Sequence, residues 1–161
     1  MDVSTFYALF SASCFTLVGL WWGVVQRDLG WARDPDRRRS VAGVFVAFLL
    51  PALMGLFAQI GGVGSPAVWR VSFVVIALVG CLATVRLLAQ ESDRSVVAAR
   101  VGAVALYACI ALLGVFPGLA RPLSLTAIQV EALLLVLLVA LGHALVWQFL
   151  VDGAARQDRG S

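Results

Sequence analysis

Five runs of about twenty apolar residues occupy a chain of only 161 residues, and the short stretches between them hold nearly all of its charge. A helix of about 20 apolar residues crosses roughly 30 Å of hydrocarbon, so each run is long enough to span a membrane. With 61% hydrophobic and 13% charged residues, too little polar surface remains to cover a soluble core. The expected fold is therefore an all-α integral membrane protein, a five-transmembrane-helix bundle. It forms a single transmembrane domain over residues 1–161, with helices at about 3–26, 35–60, 66–90, 93–119 and 127–151.

Local signals place the helix ends. Asp34 and Pro35 form a cap followed by a proline at the first helical position, where its missing N–H costs nothing. Ser65 and Pro66 repeat that signal for helix three, Ser92 or Asp93 caps helix four, and Thr126 with Gln129 has capping-box spacing for helix five. Pro51 removes a backbone donor in mid-span and predicts a kink in helix two. Pro117 falls in the last turn expected of helix four. Trp21 and Trp22 close helix one as an interfacial belt. The start, "MDVSTFYALF", lacks a basic region ahead of its apolar run, so the first helix is expected to be retained.

Arginines set the expected orientation. All twelve basic residues are arginine. Five follow helix one (Arg27, Arg33, Arg37, Arg38, Arg39), three lie between helices three and four (Arg86, Arg94, Arg100), and two are in the tail (Arg156, Arg159). In an alternating topology these ten share one side, against Arg70 and Arg121 on the other. The positive-inside rule then puts the N-terminus outside and the C-terminus in the cytoplasm. The arginine-only usage, with abundant Ala, Val, Leu and Gly, suggests a GC-rich bacterial genome, hence a bacterial cytoplasmic (inner) membrane. Basic residues placed by topology point to anionic lipid headgroups as partners and not to nucleic acid. Arg33, Arg37, Arg38 and Arg39 are the candidate cytoplasmic headgroup-binding group, partly neutralised by Asp28, Asp34 and Asp36.

Motifs with a bland explanation outnumber those without one. "GGVGSP" lacks the lysine of a phosphate-binding loop and the Gly-x-Ser-Gly order of an intramembrane serine protease, and reads as a tight turn. Cys14, Cys81 and Cys109 lie in three different runs without metal or redox spacing and are expected as free thiols. Small-xxx-small pairs (Gly80 with Thr84, Ala98 with Gly102, Ala105 with Cys109) suit helix packing. Along helix one, Ser4, Tyr7, Ser11 and Cys14 form one stripe, which can either line a narrow wet path or pack against a neighbour.

Three polar residues stand out in the fifth run: His143, Gln129 and Glu131. Glu131 lies near the outer end, where Arg121 or Arg70 can pair with it. His143 is the chain's one histidine. It is expected to face the bundle interior or a subunit interface, with a hydrogen-bond partner from another helix or from water. No nucleophile or carboxylate pair accompanies it, so no catalytic residues, cofactor or metal are expected. No repeat relates the helices, and five spans do not divide into two equal halves. The functional expectation is a non-enzymatic channel or transporter-like protein acting as a homo-oligomer. The alternative is an accessory or scaffold subunit packed against another membrane protein.

Overall fold

The computed structural model describes residues 2–27, 29–61, 65–89 and 93–157, with side chains for all of these except 29, 36 and 152–157. Every long element is helical: α1 (Val3–Val25), α2 (Pro35–Gly61), α3 (Pro66–Leu88), α4 (Arg94–Val115) and α5 (Ala127–Gln157). All five are long and apolar enough to cross a membrane, which makes the chain a candidate multi-pass helical bundle. Short 3-10 helices, Leu29–Ala32 and Pro117–Leu123, lie in two of the connections.

Helix α2 is the hub. It packs against α1, α3 and α5, while α4 closes the ring between α3 and α5. Its apolar span is accordingly the most enclosed of the five, and α1 lies outside the ring with its main contact on α2. Two larger apolar clusters fill the seams, beside a small third of Leu113, Ala120 and Val130. One joins Tyr7, Met54, Phe73, Tyr107, Ile110 and Leu135. The other gathers Trp21, Val25, Val41, Val44 and Phe48 at the arginine-rich end.

Side-chain caps explain several helix ends. Asp93 caps α4, accepting from the Ser95 N–H at 2.8 Å and the Ser95 hydroxyl at 2.6 Å. Those two bonds, the hydroxyl's first, hold its carboxyl below the usual carboxylate range. Asp34 receives the Arg37 N–H at 3.5 Å. Only part of the capping box at α5 forms. Gln129 Oε1 accepts from both the N–H and the hydroxyl of Thr126 at 2.9 Å, and the Gln129 N–H goes to the Thr126 carbonyl.

Helix α4 stops at Val115, before the expected Leu119. A residue preceding proline is pushed out of the helical region, and Phe116, before Pro117, has φ −118° and ψ 73°. The following 3-10 helix ends at Leu123 and is closed by Ser124, which has a left-handed φ of 54°. Helix α2 runs through Pro51 without a break. Trp21 departs from the interfacial role expected of it: the ring is buried and its N–H reaches the Val41 carbonyl at 3.2 Å. Trp22 is the exposed member of the pair. The "GGVGSP" turn lies largely outside the described residues, as do Asp28, Ser92 and Arg159.

Helices α3 and α4 are tied by a reciprocal pair of arginines. Arg70, near the start of α3, donates to the last carbonyls of α4, Nε to Gly114 at 2.9 Å and Nη2 to Val115 at 3.0 Å. Arg100, near the start of α4, donates from Nη1 to the Leu87 carbonyl at the end of α3. Each cation therefore meets the negative end of the neighbouring helix and satisfies carbonyls that lack an intrahelical partner. Replacing Arg70 with alanine is expected to lower the unfolding free energy in mild detergent by about 1.5–3 kcal/mol, the range for a hydrogen bond to a charged group. The exposed Arg121 is the control, and its alanine variant should stay within about 0.5 kcal/mol of wild type.

Candidate functional site

Buried polar groups mark two places in particular. The first lies on the second turn of α5, at the end of the bundle opposite the arginine-rich loops. Glu131 is 0% exposed there, and neither carboxylate oxygen has a hydrogen-bond partner. An unpaired polar group buried in an apolar setting costs free energy, and a charged one costs far more. The two arginines expected to pair with it do not. Arg70 is turned onto the end of α4, and Arg121 is exposed on the 3-10 helix Pro117–Leu123. Tyr7 of α1 stands beside the site: its hydroxyl donates to the Ile128 carbonyl at 2.7 Å, three residues before Glu131 on the same helix.

The second place is a cavity of about 30 Å³ between α2, α3, α4 and α5. Arg100, Thr84, Tyr107, Leu138 and Gly142 are among its lining residues. The space suits about one water molecule. The Tyr107 hydroxyl has no partner there, while Thr84 donates to the Gly80 carbonyl at 2.7 Å. Arg100 and Tyr107 are seven residues apart on α4, two turns along one face. That spacing was visible in the sequence, but nothing in it marked that face as the buried one.

The helix-one stripe divides. Ser4 is exposed, whereas Tyr7, Ser11 and Cys14 are buried within the single chain. The Ser11 hydroxyl donates to the Ala52 carbonyl of α2 at 2.8 Å, and the close approach requires Gly55 opposite. A Cβ on Gly55 would lie 3.1 Å from Ser11 Cβ and 3.3 Å from the Tyr7 carbonyl. On the outer side of α1, Ser13 and Thr16 bond back to Leu9 and Ala12, four residues earlier. Tyr7 and Ser11 thus join α1 to α5 and α2.

His143 finds a partner other than the one expected. Its Nδ1 is 2.8 Å from the Val139 carbonyl on its own helix. A carbonyl only accepts, so Nδ1 donates in this bond and Nε2 is left over for another partner. A backbone carbonyl keeps a second lone pair beside its helix-ladder bond, and that of Val139 serves the ring. The ring is exposed on the outer face of α5, edge-on to Phe48 at 5.2 Å. Trp147, one turn on, is 70% exposed. Gln129 is exposed and spent on Thr126. Of the four candidate headgroup arginines, Arg33 and Arg38 are exposed and Arg37 and Arg39 are half-buried. Arg37 lies over the Phe149 ring at 5.6 Å, linking the start of α2 to the far part of α5.

These features define a class, a small all-helical multi-pass bundle with an enclosed carboxyl near one end. No family model, curated protein or solved structure matches the chain.

Proposed function

We propose that this chain is a non-enzymatic channel or transporter-like protein of a bacterial cytoplasmic membrane, working as a homo-oligomer, with its N-terminus outside. One observation carries the functional part: Glu131 is sealed in the bundle with neither oxygen partnered. Ionisable residues inside membrane spans are expensive and mark ion or proton pathways by default. A carboxyl serving only packing would be replaced at a gain in stability by an apolar side chain.

The assembly part draws on α5. His143 presents its second ring nitrogen, Nε2, to the outside of the chain, flanked by the exposed Ala140 and Ala144. A polar ring in mid-span is better placed against another helix than against lipid, and alanines admit a close neighbour. The same face also supports the second reading, an accessory subunit whose neighbour is a different membrane protein.

Two measurements separate the readings. The purified detergent complex should have the mass of a defined homo-oligomer. Vesicles reconstituted with it should leak protons or monovalent ions faster than empty ones. A monomeric mass with vesicles as tight as protein-free controls overturns the proposal in favour of the accessory subunit. For orientation, reporters fused after Gly64 and after Ser161 should read outside and cytoplasm respectively, and swapped signals would reverse the topology.

A further inference from the structure

We infer that the ligand of the Glu131 site is a proton, and that the Tyr7 hydroxyl changes acceptor when the proton leaves. The inference rests on the reading of Glu131 as the functional centre and names the species it binds.

Among the described residues, no fixed counter-charge pairs with Glu131. Helices α1, α2 and α4 and the 3-10 helix Pro117–Leu123 pack against α5. From α1 come Tyr7 and, at the helix start, the exposed Asp2. The half of α2 from Leu50 to Gly61 has no ionisable residue. The facing half of α4 brings Tyr107 and the exposed Cys109, and the 3-10 helix brings the exposed Arg121. A bound species must therefore do the neutralising. A metal cation needs a shell of oxygen ligands. One turn away on α5, Ala127, Ile128, Leu134 and Leu135 have no side-chain oxygen, and from α1 the Tyr7 hydroxyl adds a single one, already given to the Ile128 carbonyl. A proton needs only one carboxylate oxygen and no shell.

Tyr7 supplies the response. Its hydroxyl is a single donor, now given to the Ile128 carbonyl one turn from Glu131. That carbonyl belongs to the helix ladder and does not depend on Tyr7. On deprotonation, the carboxyl O–H bond breaks and its proton forms a new O–H bond on a water molecule, giving hydronium and leaving a carboxylate. A carboxylate is a stronger acceptor than a carbonyl, since its hydrogen bonds are charge-assisted. The Tyr7 hydroxyl then turns from Ile128 to Glu131. Proton occupancy thereby sets which acceptor on α5 holds α1, the outermost helix of the bundle.

Infrared difference spectroscopy of the full chain in vesicles tests this directly. Raising the pH should remove a protonated-carboxyl C=O band reversibly, and a tyrosine ring band should shift with the same midpoint. Glu131→Gln should abolish both changes, while Tyr7→Phe should abolish only the ring band. If Glu131→Gln fails to fold, isotope-labelled glutamate in a Glu91→Asp background leaves Glu131 as the sole labelled carboxyl, since the chain has two glutamates. A wild-type spectrum without the carboxyl change, or one that responds to sodium at fixed pH and not to pH, overturns the inference. Ion leak without carboxyl titration would sink the proton site and spare the transport reading. Titration without leak would do the reverse.

Discussion

Gly80→Ala is expected to lower stability by about 1–3 kcal/mol, the cost of overpacking a filled core, and Gly80→Val to lower it further. The Tyr107 ring of α4 lies flat in the space that a side chain on Gly80 would take. A Cβ there would be 2.6 Å from two ring carbons, Cε1 and Cζ. Tyr107 is 2% exposed and has no room to retreat without disturbing the cavity beside Arg100. The clash also falls between the two helices joined by the arginine caps, so the whole α3–α4 pair is strained. Gly19 and Gly23 are the controls. A Cβ on either meets nothing within 4 Å, and alanine at these positions should be neutral or slightly stabilising, because glycine loses more backbone freedom on folding. Unfolding of the variants in mild detergent checks the contrast. Equal stability at Gly80 and Gly19 would mean that Tyr107 packs elsewhere.

The helices were legible because span length is a one-dimensional property. Each apolar run had to be about as long as the hydrocarbon is thick, and caps such as Asp93 are local. The pairing of faces was not. Ser11 and Cys14 have the same small, polar character whether they line water or meet a helix, so only the Ser11–Ala52 hydrogen bond shows which contact is made here. Glu131 was visible as a charge in an apolar run, but its isolation was not. The sequence puts two arginines at the same end of the bundle, and does not tell that Arg70 is consumed by the final carbonyls of α4. Tyr107 is not marked by the sequence, because an aromatic among alanines and valines reads as ordinary core. Its unpartnered hydroxyl depends on how four helices meet.

Glu131→Met is expected to make the protein more stable and inactive. Methionine has nearly the length of glutamate and fills the same space with no polar atom that needs a strong partner. Removing a buried polar group that has no hydrogen bond should recover about 1–3 kcal/mol, the cost of leaving such a group unsatisfied. For a structural carboxyl the sign would be opposite, because breaking a satisfied buried contact destabilises. A gain in stability joined to a loss of activity is the mark of a residue kept for function, since functional sites hold groups that the fold alone would discard. The most direct test is therefore a paired one: unfolding free energy in detergent and ion leak from reconstituted vesicles, wild type against Glu131→Met. The account predicts higher stability with leak reduced to that of empty vesicles. Lower stability with leak unchanged would contradict it.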